Sequence, residues 1–201
     1  MNNIVFTKSF SSPPVDKREI LRYAGVRGKN AEMDELLDSC IEEISGKLSY
    51  KVCYREFEVK TLDDELNLGF ATTKSLSLAK NLQSCEKIVL FCATVGVEMD
   101  RIINKYSLIS PARSIMMQAV GSERVEALCD KFCAEISEGL DEGYKCRPRF
   151  SPGYGDLPLE LQREIFTTLN PQRNVGVVLN DNMFMSPSKS VTAIIGIEKD
   201  K

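Results

Sequence analysis

The segment "KIVLFCATVG", residues 87–96, restricts the possible folds of this chain more than any other stretch. It is an almost continuous apolar run without alternation, which is typical of a central β-strand buried on both faces. The whole run from Ile88 to Val97 has ten residues, whereas a membrane-spanning helix needs roughly 20. We therefore expect this strand to lie in the interior of a sheet that is covered on both sides.

The sequence before this strand contains two helical patterns. The stretch "VDKREILRYAG" predicts a short helix capped by Asp16, with Glu19 placed for a capping box and Gly25 at the end. Apolar residues at helical spacing after Asn30 predict a second, amphipathic helix. A further helix is expected after the apolar run, over about residues 98–106.

The strand that precedes the apolar run shows a change of phase. In "YKVCYREFEVKTL" the apolar positions are Tyr50, Val52 and Tyr54, and then Phe57 and Val59. A β-bulge or a bend produces a phase shift of one residue. We therefore expect an irregularity in this strand.

The second half of the chain predicts one long helix and the end of the sheet. Pro111 suits the first helical position of a pattern that continues to about Leu140, with a weak point or kink at Gly121. Pro158 begins a further helix, and "NVGVVL" and "SVTAIIGIE" predict closing strands.

These elements predict an α+β fold with a mixed or antiparallel twisted sheet and flanking helices, one of them long. A chain of 201 residues fits one domain. We expect this domain to span residues 1–201, with residues 1–14 as an N-terminal arm.

Composition and charge exclude several classes of function. The net charge is −3 and no basic stripe is visible, so a nucleic-acid partner is not expected. The N-terminal residues lack the apolar core and cleavage site of a signal peptide, and we expect a cytoplasmic protein without a membrane segment. The seven cysteines form no CxxC motif, which is typical of a reducing compartment. Cys129 and Cys133 could share a metal, but core packing is favoured because no second ligand pair is visible.

The chain contains no histidine. This excludes Ser-His-Asp and Cys-His nucleophile systems, the histidine-bearing zinc sites and the commonest general base. We therefore assign no catalytic residue and no metal site. A thiolate at Cys146 is a remaining candidate nucleophile, since the neighbouring Arg147 and Arg149 would lower its pKa. No base or oxyanion-binding group accompanies it.

The segment "RFSPGYGDLPLELQ", residues 149–162, is the main candidate site. Pro152 and Gly153 suit the central positions of a type II turn. Arg149 can offer a planar fork to a carboxylate, and Tyr154 can present a ring and a hydroxyl to the same space. These groups could hold a zwitterionic amino acid attached to a flat group. The residues alone leave an ordinary structural turn open.

Together, this segment and "MSPSKSVTAIIGI", residues 185–197, resemble the reactivation (activation) domain of cobalamin-dependent methionine synthase, and more closely the free-standing small proteins of that family. In that family the arginine and tyrosine of R-x-x-x-G-Y bind S-adenosylmethionine. The resemblance implies that Arg149 pairs with the methionyl carboxylate and that Tyr154 lines the pocket. Ser151 would contribute through its backbone, and Gly153 is the glycine of the motif.

The family also has a glutamate on the long helix before this arginine. The stretch "SERVEALCDKF" matches that part of the family best when Glu126 is aligned with this glutamate, which would hold the ammonium of the ligand. Glu123 and Glu135 on the same helix are the alternatives. An acidic contact from an early Asp-Trp segment of the family has no counterpart that can be placed, because this chain has no tryptophan.

The resemblance implies an auxiliary methyltransferase subunit in methionine biosynthesis. In the family's reductive methylation, cob(II)alamin (vitamin B12) receives an electron, usually from flavodoxin, and a methyl group from S-adenosylmethionine. Methyl transfer to cobalt moves no proton, so positioning and electrostatics suffice without histidine. The cobalamin would come from a partner, a methionine synthase or a related corrinoid protein. The alternative is a non-catalytic module that senses S-adenosylmethionine or docks on a corrinoid protein.

Overall fold

The computed structural model describes residues 4–62 and 65–200. In the described part, the strands in chain order are β1 Phe6–Phe10, β2 Tyr50–Glu58, β3 Lys60–Leu62, β4 Glu65–Asn67, β5 Thr72–Thr73, β6 Cys85–Thr94, β7 Tyr144–Cys146, β8 Val178–Leu179, β9 Met185–Ser186 and β10 Ser190–Lys199. The α-helices are α1 Lys17–Tyr23, α2 Ala31–Ile44, α3 Leu76–Asn81, α4 Glu98–Ser107, α5 Pro111–Glu138, α6 Gln162–Leu169 and α7 Pro171–Val175.

Five of these strands form one antiparallel sheet with the spatial order β1-β2-β6-β10-β7. Two smaller antiparallel sheets, β3-β4-β5 and β8-β9, lie outside it. The helices α1, α2, α4 and α5 cover one face of the large sheet, and α3, α6 and α7 cover the other. The predicted α+β fold, with a curled antiparallel sheet and one long helix, is confirmed.

The apolar run forms β6, the third of the five strands, as predicted. Its alternate residues enter two different cores. Val89, Phe91 and Ala93 pack on the side of α5, and Ile88, Leu90 and Cys92 pack on the side of α6. All six side chains are fully buried, so every position from 88 to 93 contributes to one of the two cores in alternation.

The predicted irregularity in the preceding strand is wrong. β2 pairs with β6 in continuous register over residues 51–58. Val52 packs in the core on the α5 side, while Phe57 packs in the core on the α6 side. Because both faces of the sheet are covered, a regular strand can bury apolar residues of either phase. The register shift occurs in β10 instead, between Ile197 and Glu198.

The first helix begins as predicted but has a different capping arrangement. The Asp16 carboxylate accepts from the backbone N–H groups of Arg18 and Glu19 at 2.9 and 3.1 Å, which caps α1. Glu19 pairs with Arg22 instead of completing a capping box. The N–H of Asp16 donates to Glu123 on α5 at 2.9 Å. The cap therefore also joins α1 to the long helix.

The long helix α5 has 28 residues and runs through Gly121 without a break. A Cβ atom at Gly121 would lie 2.8 Å from Cγ of Met99 and 3.0 Å from Cε of Lys189. The glycine therefore allows a close approach between α4, α5 and the segment before β10. Within the described residues, no helix is both long and apolar enough to span a bilayer.

The prediction of a strand at "NVGVVL" is confirmed only in part, because its first two residues, Asn174 and Val175, belong to helix α7. Asn170 adopts a left-handed conformation (φ 43°) and its side chain caps α7 by accepting from the N–H of Arg173. Pro171 occupies the first helical position, so this local helix start overrides the β-propensity of the valines. The strand β8 is confined to Val178–Leu179.

A buried ion pair on α5 fixes the segment between β1 and α1, residues 11–16, which we call the N-terminal arm. Glu123 and Arg124 have side chains that are 4% and 1% exposed and hydrogen-bond to each other. The Arg124 guanidinium also donates to the carbonyls of Pro13 and Pro14 at 2.7 and 2.6 Å. Both charges are thus paired and hydrogen-bonded, as buried charges must be. The arm and the start of α1 are held against α5.

Candidate functional site

The segment 149–157 follows β7 and is fastened to the sheet at its beginning. Phe150 and Ile194 of β10 exchange two backbone hydrogen bonds of 2.8 Å. The N–H of Tyr154 then donates to the carbonyl of Ser151 at 3.1 Å, and Gly153 has a φ of +90°. These are the features of a type II turn, so the predicted turn is confirmed.

Asp156 fastens the other end of this segment to α3. Its carboxylate accepts from the Ser75 hydroxyl at 2.5 Å and from the N–H groups of Leu76 and Ser77 at 2.8 and 3.0 Å. The hydrogen bond from Ser75, followed by that from the Ser77 N–H, holds the pKa of Asp156 well below its usual range. A Cβ at Gly155 would lie 2.6 Å from the Ser77 hydroxyl, so this contact requires glycine.

Arg149 contacts two carboxylates on α5. Its Nη2 pairs with Oε2 of Glu126 and its Nη1 pairs with Oδ1 of Asp130. The side chain of Arg149 is 25% exposed, against 40% for Glu126 and 71% for Asp130. Burial lowers the pKa of Arg149, but the hydrogen bond to Asp130 and the charge of Glu126 outweigh burial and raise it overall. The guanidinium is therefore a permanent cation.

A cavity of about 490 Å³ lies between this arginine and the turn, and we call it the turn cavity. It is lined by Glu126, Cys133, Arg147, Pro148, Arg149, Phe150, Ser151, Tyr154 and Val191. The rings of Phe150 and Tyr154 meet edge to face, with centroids 6.1 Å apart. Tyr154 is 65% exposed. The turn cavity thus combines a guanidinium–carboxylate pair with two aromatic rings, one of which is open to solvent.

A second cavity, of about 750 Å³, lies on the other side of Arg149, and we call it the arm cavity. It shares Arg149 and Glu126 with the turn cavity. Its remaining lining comes from the N-terminal arm, α1 and α5: Pro13, Pro14, Asp16, Glu19, Tyr23, Glu123, Ala127, Asp130, Lys131 and Ala134. The Arg149 ion pairs therefore form the boundary between an aromatic cavity and an acidic one.

The structure brings most of the predicted site residues together. Arg149, Ser151, Tyr154 and Glu126 all line the turn cavity. Gly153 shapes the turn but is not part of the lining. Their roles in ligand binding stay predictions.

The structure also separates the three candidate glutamates of α5. Glu126 contacts Arg149, whereas Glu123 is buried with Arg124. Glu135 pairs with Lys8 of β1, outside both cavities. Glu126 is therefore the one of the three that shares a cavity wall and an ion pair with the arginine of the motif.

The sequence interpretation missed several residues of the site. Asp130 lies four residues after Glu126, and this spacing places both on one face of α5, so the helical period could have identified it. Asp16 and Glu19 enter the arm cavity because the arm is held on α5, which no local pattern indicates. The packing of Phe150 against Tyr154 depends on the turn geometry.

The thiolate alternative at Cys146 is not supported by the local geometry. Burial raises the pKa of Cys146 and outweighs a hydrogen bond with Ser137. Arg147 donates to the carbonyl of Asn81 at 3.0 Å and lies 3.5 Å from Glu198. Its guanidinium therefore interacts with these groups and not with the Cys146 thiol. Within the ranges 4–62 and 65–200, no group of three or more metal-ligating side chains is assembled.

The second motif, around residues 185–190, is held by α4 and α5. Asp100 accepts from the N–H and the hydroxyl of Ser188 at 2.8 and 2.5 Å. Lys189 donates to the hydroxyl of Ser122 at 3.0 Å. The motif then continues into β10, whose Val191 lines the turn cavity.

Comparison with known proteins identifies a similar fold. The chain is similar to a crystal structure of the MetH reactivation domain bound to AdoHcy, with a TM-score of 0.70 and 16% sequence identity. The superposition covers 98% of this chain and 79% of that one. No protein-family model and no curated protein sequence matches this chain. At this level of identity the likeness establishes a shared fold.

Proposed function

We propose that this chain binds S-adenosylmethionine and serves as the reactivation subunit of a separate cobalamin-dependent methionine synthase or related corrinoid protein. The observation that carries the proposal is the Arg149–Glu126 pair beside Tyr154 in the turn cavity. It occurs on the fold of a domain that was crystallised with AdoHcy, the demethylated form of S-adenosylmethionine.

The lining of the turn cavity fits the chemistry of this ligand. A guanidinium can hold a carboxylate by charge-assisted hydrogen bonding, and a neighbouring carboxylate can hold an ammonium. Arg149 and Glu126 supply these two groups on one wall. Phe150 and Tyr154 supply ring faces and edges for a flat base. The volume of about 490 Å³ lies within the usual range for small-molecule sites, roughly 300–1,000 Å³.

The proposed reaction adds one electron and one methyl group to the corrinoid of the partner. The electron would come from a flavodoxin-type donor and the methyl group from S-adenosylmethionine, which leaves as S-adenosylhomocysteine. The residues of this chain would orient the amino-acid end of the ligand, and no proton is moved. The exposure of Tyr154 places the aromatic end of the cavity at the surface. A partner could approach the ligand there.

Calorimetric titration with S-adenosylmethionine tests the binding step. Replacing Arg149 by alanine should weaken binding by about 1.5–3 kcal/mol, or roughly 10- to 150-fold, because a charged hydrogen-bond partner of the ligand carboxylate is lost. Arg101→Ala is the matched control, since this arginine of α4 also pairs with a glutamate but lies outside both cavities. Equal affinities of the wild type and Arg149→Ala would contradict the proposed site.

A second measurement separates the reactivation subunit from a sensing or docking module. The wild type, a corrinoid protein in its cob(II) state, a reductant and S-adenosylmethionine should yield a methylated corrinoid, detected by its absorption spectrum. The yield should fall with Arg149→Ala and stay unchanged with Arg101→Ala. Binding of the ligand without methylation of any corrinoid partner would favour the non-catalytic module.

A further inference from the structure

The guanidinium of Arg149 is engaged by two side chains of the chain itself. Its two terminal nitrogens donate to different carboxylates, Glu126 and Asp130. Two carboxylates therefore face one guanidinium, and the cluster carries one net negative charge. A further carboxylate brought to the same group would be repelled by both, because like charges a few ångströms apart are unfavourable.

The two carboxylates have different positions in the site. Glu126 lines both cavities, so it stays close to any ligand that occupies the turn cavity. Of the two cavities, Asp130 lines only the arm cavity. Its side chain is 71% exposed, against 40% for Glu126. Water can therefore solvate Asp130 when it separates from Arg149, at a small cost in free energy.

We propose that Asp130 is a specificity-determining residue that competes with the carboxylate of the ligand for Arg149. This inference rests on the proposed function. On binding, the ligand carboxylate replaces Asp130 at Nη1 while Glu126 remains, and the ligand ammonium balances the charge of Glu126. An adenosyl compound without a carboxylate cannot make this exchange and leaves the Arg149–Asp130 pair intact.

The test measures affinities of S-adenosylhomocysteine and 5′-methylthioadenosine for the wild type, Asp130→Asn and Asp130→Ala by calorimetry. S-adenosylhomocysteine has no net charge and, unlike S-adenosylmethionine, no sulfonium. Removing the negative charge of Asp130 therefore cannot lower its affinity through a lost attraction to a sulfonium. Its affinity should rise about two- to fivefold in both variants, the range expected when an exposed ion pair no longer has to be broken. The affinity of 5′-methylthioadenosine, which has no carboxylate, should stay unchanged.

A matched control comes from α2, where Asp38 pairs with Lys17 and both side chains are 58% exposed. Asp38→Asn removes a carboxylate of an exposed pair outside the two cavities and should alter neither affinity. If both adenosyl compounds bound more tightly to the Asp130 variants, the effect would be a general change in the cavity, and the competition would be overturned.

An unchanged or weakened affinity of the Asp130 variants for S-adenosylhomocysteine would overturn this inference and leave the proposed function standing. Absence of binding to the folded wild type and to all variants, for S-adenosylmethionine as well as S-adenosylhomocysteine, would overturn the proposed function and this inference with it. The two failures are therefore distinguishable in one set of titrations.

Discussion

Two arginine–carboxylate clusters meet on the same helix, α5, and differ mainly in their contact with water. In the first, Arg124 and Glu123 are almost fully buried and also hold the N-terminal arm. In the second, Arg149 pairs with Glu126 and Asp130 at the boundary of two cavities, where the side chains are 25–71% exposed. In the buried cluster, water cannot replace a charged partner that is lost. In the exposed cluster, it can. The comparison suggests that burial decides whether such a cluster supports the fold or remains exchangeable for a ligand.

A third cluster on α5 is intermediate. Arg113 pairs with Glu43 of α2, and the two side chains are 19% and 15% exposed. Lys105 and Tyr106 of α4 also hydrogen-bond to the Glu43 carboxylate. If burial sets the energetic role, the effects of disrupting the three clusters on stability should follow the order of their exposure.

The largest expected effect is that of Arg124→Met. The substitution leaves Glu123 as an uncompensated buried charge and removes the donors to the Pro13 and Pro14 carbonyls. We expect the free energy of unfolding to fall by about 3–5 kcal/mol, measured by denaturant titration. Arg101→Met, which disrupts the exposed pair with Glu98, should lower the free energy of unfolding by less than about 1 kcal/mol. Similar costs for the two variants would show that burial does not distinguish these pairs.

The next effect concerns Glu43 and is pH-dependent. Burial raises the pKa of Glu43, but hydrogen bonds from Arg113, Lys105 and Tyr106 outweigh it and lower the pKa from 4.5 to about 2. A pKa that is lower in the folded state gives stability that is complete above about pH 4.5 and is lost as the pH falls towards 2. Glu43→Gln should therefore be less stable than the wild type by about 1–2 kcal/mol at pH 7.

The difference between the wild type and Glu43→Gln should shrink steadily below pH 4.5 and be mostly lost near pH 2, where about half of the folded wild-type carboxyl is protonated. Denaturant titrations at several pH values measure this difference. Glu42→Gln, at an exposed neighbouring position of α2, controls for the loss of a carboxylate as such. A difference that stayed constant from pH 7 to pH 2.5 would refute the assigned pKa.

The smallest effect on stability is expected for Arg149→Ala. Its partners Glu126 and Asp130 are open to water, so we expect the free energy of unfolding to fall by about 1 kcal/mol, although ligand affinity falls by more. Thermal unfolding without ligand measures the first quantity, and the titrations described above measure the second. A stability loss as large as that of Arg124→Met would mean that Arg149 is a structural residue.

Much of the fold could be predicted from local patterns. The run at residues 88–93 identified the interior strand because its two phases are both apolar. The Asp16 cap was identified because a carboxylate before a helical pattern satisfies free backbone N–H groups. The phase change in β2 was misinterpreted, since a strand covered on both faces produces the same pattern as a bulge. The helix at Pro171–Val175 was missed because capping by Asn170 outweighed the β-propensity of Val175.

The candidate site could be predicted only in part. The R-x-x-x-G-Y spacing and the position of Glu126 on the long helix identified one wall of the turn cavity. The spacing of four residues from Glu126 could have identified Asp130 as a site residue. No local pattern identified Asp16 as one. The place of Asp16 in the arm cavity depends on hydrogen bonds between the arm and α5, which connect residues more than 100 positions apart. Such contacts leave no periodic pattern in a single sequence.

The attachment of segment 149–157 at both ends has a consequence for recognition. Phe150 is tied to β10, and Asp156 is tied to the start of α3. The chain's own hydrogen bonds therefore order the backbone around the turn, and little conformational entropy remains to be lost there on association. For the proposed binding site, we therefore expect selectivity to depend on which side-chain contacts are exchanged, because the main chain offers every ligand the same rigid frame.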